Sequence, residues 1–183
     1  MCSASWCWMK LTFSIAEAAE APALAALQNR VNEDLSRRYP GGPWAPNATE
    51  RGVLFGMKHA RVLLVHRGEE IAGMLRLQTK KPWAIDISYF TPVRKAIYLT
   101  GMAIDPVSQG QGVGSALMTE AAILARNWPV DAIRLDAYDR EGGAGGFYAR
   151  NGYTERGHVL YKKSPLIYFE LVFGPNPDER DAS

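Results

Sequence analysis

Leu99-Thr-Gly-Met-Ala-Ile-Asp-Pro106, followed closely by Gln109-Gly-Gln-Gly-Val-Gly114, is the stretch on which the fold turns. Its first half belongs to an apolar strand from Ala96 to Ile104. Its second half is a turn with glycine at alternate positions, and a helix opens from about Gly112 to Asn127. In that helix Val113, Leu117, Ala121, Leu124 and Trp128 recur at helical spacing and make one apolar face. Trp128-Pro129 ends it, because proline disfavours helical geometry in the residue before it. Ile133, Leu135 and Ala137 alternate along the next strand. The unit from Ala96 to Tyr138 is therefore strand, helix, strand, which requires a parallel pair.

Gly110, Gly112 and Gly114 let the backbone adopt dihedrals other residues avoid and approach a bulky anion closely. The helix start adds unpaired N–H groups and the positive end of a dipole. Together they form a phosphate cradle, in preference to a turn that is glycine-rich for packing alone. A nucleoside-triphosphate loop needs Gly-Lys-Ser/Thr, and Gly114-Ser115 has no lysine before the serine. A dinucleotide fingerprint starting at Gly110 needs glycine where Ser115 stands. Asp136 ends the following strand about where a ribose-binding acid would, yet that fold requires further strand–helix–strand units. Only short strands and one small helix follow.

Outward from this unit, Leu11 to Ile15 reads as a first strand and Glu17 to Val31 as an Ala- and Leu-rich helix. A second helical piece covers Asn32 to Arg38, and Tyr39-Pro-Gly-Gly-Pro-Trp44 is a loop. Thr49 to His59 reads as another helix. Arg61 to His66 and Ile71 to Leu77 form a hairpin through Arg67-Gly-Glu-Glu70, with Ile71, Gly73, Leu75 and Leu77 on one face. An aromatic stretch, Trp83 to Tyr98, leads into the Ala96 strand. After the Ala132 to Tyr138 strand come a short helix, Gly145 to Arg150, capped at Asn151-Gly152, and two strands, Tyr153 to Tyr161 and Leu166 to Phe173. The order is β-α-α-β-β-β-α-β-α-β-β, an α/β chain with an α+β mixed sheet.

Residues 10–173 are read as one domain, 1–9 as an unstructured leader and 174–183 as a frayed tail. The 21 Lys+Arg against 19 Asp+Glu leave a net charge of +2. With no basic run longer than two residues, this argues against nucleic acid as the main partner. No apolar stretch approaches the ~20 residues of a membrane helix. Cys2 and Cys7, the only cysteines, give no disulfide framework, and with three scattered histidines they cannot supply a zinc site. A cytoplasmic, metal-free protein without a membrane partner is expected.

The residues around the cradle resemble those of a known family. Leu99 to Pro106 followed by Gln109, Gly112 and Gly114 is similar to the acyl-CoA-binding motif of the GNAT N-acetyltransferase superfamily, Gln/Arg-x-x-Gly-x-Gly/Ala. Ala144-Gly-Gly-Phe-Tyr-Ala-Arg-Asn-Gly-Tyr153 resembles its second motif, an aromatic–Tyr helix turn followed by Gly and an aromatic. The resemblance implies a splay between the fourth and fifth strands. It places Met102, Ala103 and Ile104 against the pantetheine and acetyl group of acetyl-CoA. Gln109, Gly110, Gln111, Gly112, Val113, Gly114 and Ser115 would wrap the pyrophosphate. Glu141 departs from the pattern, standing three residues before Ala144 where the family often has Asn. The acceptor implied is an amine of a small molecule or peptide, and a homodimer is compatible with the family pattern.

Amide formation from a thioester needs an uncharged amine, a polarised carbonyl and a protonated leaving thiolate. Backbone N–H near Ile104 would stabilise the oxyanion. The resemblance makes Tyr148 the general acid; the alternative is a core aromatic. The base stays open among Asp86, Glu50 and Asp136, or a water chain. His59, His66 and His158 fall in no motif. Trp83 to Tyr98 is the candidate acceptor wall, the alternative being core packing for Trp83 and a surface loop for the rest, and Tyr39 to Trp44 is the candidate opposite wall. Two other functions compete, a silent acyl-CoA-binding regulator and a dinucleotide-dependent oxidoreductase. Tyr148 favours the enzyme over the regulator; Ser115 and the short C-terminal remainder disfavour the oxidoreductase.

Overall fold

The computed structural model describes residues 10–174, so the expected leader and all but the first residue of the expected tail lie outside the described residues. Seven strands form one mixed sheet: β1 (Leu11–Ile15), β2 (Arg61–Arg67), β3 (Glu70–Gln78), β4 (Ala96–Ile104), β5 (Ala132–Tyr138), β6 (Thr154–Tyr161) and β7 (Ser164–Val172). Their order is β1-β2-β3-β4-β5-β7-β6. Among the described residues four α-helices accompany them: α1 (Ala21–Arg38), α2 (Glu50–Met57), α3 (Val113–Arg126) and α4 (Gly145–Arg150).

The two helical pieces expected before Tyr39 are one helix of 18 residues. It starts with Pro22 in its first turn, where the missing N–H costs nothing. The Asn32–Asp34 segment does not break it, because Val31 and Leu35 on either side are packed against the sheet. Thr49 caps α2, its hydroxyl accepting from the Gly52 N–H at 3.1 Å.

Alternation along the strands divides the core between two faces. Leu63, Val65, Leu75, Leu77, Ile97, Leu99, Ile133 and Leu135 pack with α3 on one face, joined by Tyr148 of α4. Val62, Leu64, Met74 and Ala103 pack with α1 and α2 on the other. Two irregularities interrupt the alternation. The β2–β3 register skips Ala72, so Ile71 packs with the α1 side instead of sharing a face with Leu75 and Leu77. The β3–β4 register shifts between Met74 and Arg76, where β4 gains a residue around Gly101. Gly101 has φ 59°, a conformation that favours glycine, and makes a bulge.

The only parallel pair among the described residues joins β4 to β5 through Ala96–Ala132, Ile97–Ile133 and Tyr98–Arg134. Beyond these three pairs β4 runs on to Ile104 and β5 to Tyr138 without further pairing, which is a splay between the fourth and fifth strands.

The segment between β3 and β4 lies across the sheet face opposite α3. Ile85 and Phe90 are buried there with Tyr98 and Tyr168. Trp83 is not a core residue; it is 86% exposed. Beneath the segment, Arg134 Nε donates to Glu170 Oε1 at 2.9 Å in a fully buried ion pair. Arg134 Nη2 also donates to the Thr91 carbonyl at 2.6 Å, and the Thr91 N–H donates to Glu170 Oε2 at 3.1 Å. Removing one member leaves a buried charge unpaired, so Glu170→Ala should cost about 3–5 kcal/mol of stability. A chemical denaturation series measures it. The double replacement Arg134→Met with Glu170→Met should recover much of that loss.

Candidate active site

The splay opens onto the start of α3. Gly112, with φ 78°, is the N-cap residue of α3, and Gly110 has φ 72°; a Cβ on either would meet nothing within 4 Å. The close approach expected of these glycines is therefore open from their side. The Ala116 N–H bonds the Gly112 carbonyl at 3.0 Å, and the N–H groups of Val113, Gly114 and Ser115 precede it in the first turn of α3. They are the unpaired N–H groups expected at a helix start.

A cavity of about 680 Å³ meets this helix end. Met102, Ala103, Ile104, Gln109, Gly110, Gly112, Gly114 and Ser115 line it, together with Tyr148. Two expected residues stand apart. The Val113 side chain is fully buried against the sheet, leaving only its backbone near the turn. Gln111 turns outward, accepting from Arg67 Nη1 at 2.6 Å and donating to the Val107 carbonyl at 2.7 Å. Gln109 acts as a strut: its Nε2 donates to the Ile104 carbonyl at 3.0 Å, and its Oε1 accepts from Arg38 at 3.2 Å. The Asp105 N–H bonds the Ala72 carbonyl at 2.9 Å. Strand alternation then turns the Ile104 N–H the other way, toward the splay.

The opposite wall comes from α1. Val31, Leu35 and Arg38 lie one helical turn apart and line the cavity with Tyr39. Sequence reasoning missed the first three; the i, i+4, i+7 spacing of Val31, Leu35 and Arg38 was the available signal. Trp44 packs edge-on against Tyr138 at 5.5 Å and tilted against Tyr39 at 6.0 Å. The loop after α1 thus reaches across to the end of β5. Gly142, Gly143, Arg150 and Asn151 line the cavity as well, whereas Glu141 does not.

Tyr148 is 6% exposed, with its ring against Phe147, Tyr153 and Phe169. Its hydroxyl makes no hydrogen bond among the described residues. Burial first, and then the nearby Asp136 carboxylate, push the phenol well above its ordinary pKa, so it remains protonated. The three acids considered as bases sit in different surroundings. Asp86 caps a short 3₁₀ turn, accepting from the Ser88 N–H and hydroxyl at 3.0 and 2.8 Å, which holds its carboxyl low. Glu50 is exposed in the first turn of α2. Asp136 is half-buried on β5 opposite Tyr168, and burial raises its pKa.

No helix of the described residues is long and apolar enough to cross a membrane, and no group of three or more His, Cys, Asp or Glu among them is placed to hold a metal ion. Among known structures the chain is similar to the ribosomal-protein-S18-alanine N-acetyltransferase of Escherichia coli, at 17% identity, covering 92% of this chain and 97% of that one with a TM-score of 0.68. It is also similar to the PaiA N-acetyltransferase of Thermoplasma acidophilum in complex with coenzyme A, at 12% identity, covering 90% and 100% with a TM-score of 0.69. An N-acetyltransferase of Staphylococcus aureus Mu50 matches at 13% identity, covering 89% and 98% with a TM-score of 0.65. At these identities the likeness is one of fold. No curated protein sequence matches the chain. The family model of the acetyltransferase (GNAT) domain matches residues 58–155, which span the hairpin, the glycine turn and Tyr148. With that match over more than half its length, the chain belongs to the GNAT acetyltransferase family.

Proposed function

We propose that this chain transfers an acetyl group from acetyl-CoA to a primary amine of a small molecule or peptide, with Tyr148 as general acid. One observation carries the reading: the splay, the α3 helix end and the Tyr148 side chain line the same cavity. When bound, acetyl-CoA supplies an activated thioester. The residues present fit it, since Gly110 and Gly112 leave the approach to the first-turn N–H groups of α3 open. Met102 and Ala103 would line the pantetheine arm. The Ile104 N–H would donate to the oxyanion that develops as the amine attacks, and Tyr148 would return a proton to the departing thiolate.

Asp136 is the base we favour. It is a half-buried carboxyl without an ion-pair partner among the described residues, close enough to Tyr148 to raise its pKa. A raised carboxyl pKa also makes a better proton acceptor near neutral pH. Folding is linked to this in a definite sense. The native carboxyl holds its proton to higher pH than the unfolded chain's, so its contribution turns unfavourable as pH rises through that window. Asp136→Asn should therefore cost turnover while leaving neutral-pH stability level or higher. A bound peptide acceptor is supported by the ribosomal-protein specificity named for the Escherichia coli structure.

The test pairs two measurements on the whole chain. Acetyl-CoA should raise the melting temperature where NAD does not, and a panel of primary amines should yield free CoA thiol. Stabilisation by acetyl-CoA with no amine-dependent thiol release would instead mark a regulator. Stabilisation by NAD alone would overturn the reading.

A further inference from the structure

Arg76 is a half-buried charged side chain with no counter-charge among the described residues. It sits on β3, paired with Val62 of β2 and Thr100 of β4. A Cβ on Gly101 would collide with its Nη2 and stand 2.6 Å from its Nε, and a Cβ on Gly56 would stand 3.2 Å from its Nη1. The guanidinium therefore extends from β3 to the β4 bulge, close to α2. It makes no hydrogen bond or ion pair among the described residues, and its Nε is shut away from solvent without an acceptor. Burial works against its charge and lowers its pKa, yet a guanidinium does not give up its proton in a protein. Arg134, which is buried against the sheet, has Glu170. Arg30 and Arg38, which are more exposed, have Asp105 and Asp34.

The surroundings say what the missing partner is. Tyr98 of β4 is paired with Arg134 of β5 and lies on the face away from α3, with Tyr168. Two residues further along each strand, Thr100 and Asp136 return to that face. The face thus presents a guanidinium at the bulge, the exposed backbone of Gly101, and then the Asp136 carboxyl across the splay. β3 and β5 are two strand spacings apart, roughly 10 Å, and the long Arg76 side chain covers part of that distance. A cation and a carboxyl, neither paired among the described residues, flank the opening from the side opposite α3. Their complement is one molecule bearing an amine and a carboxylate. Arg76 does not line the cavity at the α3 start, so the phosphates expected there do not account for it.

We infer that Arg76 determines acceptor specificity by binding a carboxylate that the acceptor carries a few bonds from its reactive amine, as in an amino acid or an acidic peptide. This rests on the transferase reading above.

The experiment measures kcat and KM for glycine, β-alanine and alanyl-aspartate, each against its carboxamide, with wild type, Arg76→Met and Arg76→Lys. Wild type should favour the carboxylates by about ten- to a hundredfold in kcat/KM, the range of a charge-assisted hydrogen bond. Arg76→Met should bring each pair within about threefold, chiefly through KM, and leave the carboxamides nearly unchanged. Arg76→Lys should fall between. The melting temperature of Arg76→Met should hold or rise, because a half-buried charge without a partner has gone. A purely structural arginine would give the reverse, a fall of several degrees with preference unchanged, and that would overturn the inference. If wild type acetylates acids and carboxamides equally, or prefers aminomethylphosphonate tenfold over glycine, the carboxylate assignment falls while the transferase reading stands. If nothing on the panel is acetylated and acetyl-CoA gives no thermal shift, both fall. If acetyl-CoA binds but the panel is inert, the inference falls and cofactor binding survives.

Discussion

Tyr148→Phe should keep the fold and lower kcat by about a hundred- to ten-thousand-fold, the usual worth of general acid–base catalysis. The ring carries the packing against Phe147, Tyr153 and Phe169, and phenylalanine preserves it. Only the hydroxyl goes, and it bonds to nothing in the described chain. A phenol whose pKa burial has raised stays protonated at working pH and keeps the proton it would donate. Acetyl-CoA affinity should move by less than about threefold, since the proton is needed only as the thiolate leaves. Tyr153→Phe is the internal control: its hydroxyl is buried without a partner in the same aromatic cluster, and its loss should leave kcat alone. Paired kcat and dissociation-constant measurements check all three proteins. If kcat of Tyr148→Phe stays within threefold while chemistry is rate-limiting, the acid lies elsewhere. If affinity and stability collapse together, Tyr148 is a core residue.

The second large effect is expected from Gly112→Asp. The position has room for a side chain, with nothing within 4 Å of a Cβ, and aspartate is among the residues that tolerate its left-handed backbone. Any side chain is nonetheless strained in that backbone, so stability should fall by about 1–2 kcal/mol while a carboxylate occupies the anion's place, and Gly112→Asn shares that strain. Two like charges about 4 Å apart near a protein surface repel by ~4 kcal/mol, so acetyl-CoA affinity should fall by on the order of a hundredfold or more. Gly112→Asn, equal in shape but uncharged, should lose far less, and calorimetry on the pair separates charge from bulk. Unchanged affinity in Gly112→Asp would place the pyrophosphate elsewhere.

The strands flanking α3 were legible to the residue, because Ala96–Ile104 and Ala132–Tyr138 are apolar runs punctuated by Pro106, Pro129 and the glycines. One side of the cavity was legible too, since Gln109, Gly110, Gly112, Gly114, Ser115 and Tyr148 lie in two short motifs. The rest depends on contacts that no window of sequence contains. The register skip at Ala72 takes Ile71 off the face its spacing predicts. Trp83 has the composition of a core residue, but the chain around it is anchored through Ile85 and Phe90 and leaves it outside. Val113 sits inside the motif and is spent on packing, whereas Arg38, far away in sequence, reaches Gln109. Arg76 reads as the polar member of an alternating strand; only α2 and the β4 bulge together show that it has no partner.

Besides the buried Ile85 and Phe90, the segment between β3 and β4 is held by its own main chain. The Ala84 carbonyl accepts from the Tyr168 hydroxyl, which in turn accepts from the Asp86 N–H at 3.1 Å. The Tyr89 carbonyl accepts from Arg156 Nε at 3.2 Å, and both backbone groups of Thr91 are taken by Arg134 and Glu170. Every one of these partners belongs to the sheet. The path of the segment is thereby insulated from most of its own side chains, and Trp83 and Ile87 can be exchanged without loosening a single tether. Mutation can rewrite that surface while the scaffold beneath keeps its shape, so drift in a lineage should gather at 83 and 87 and spare Arg134, Arg156, Tyr168 and Glu170.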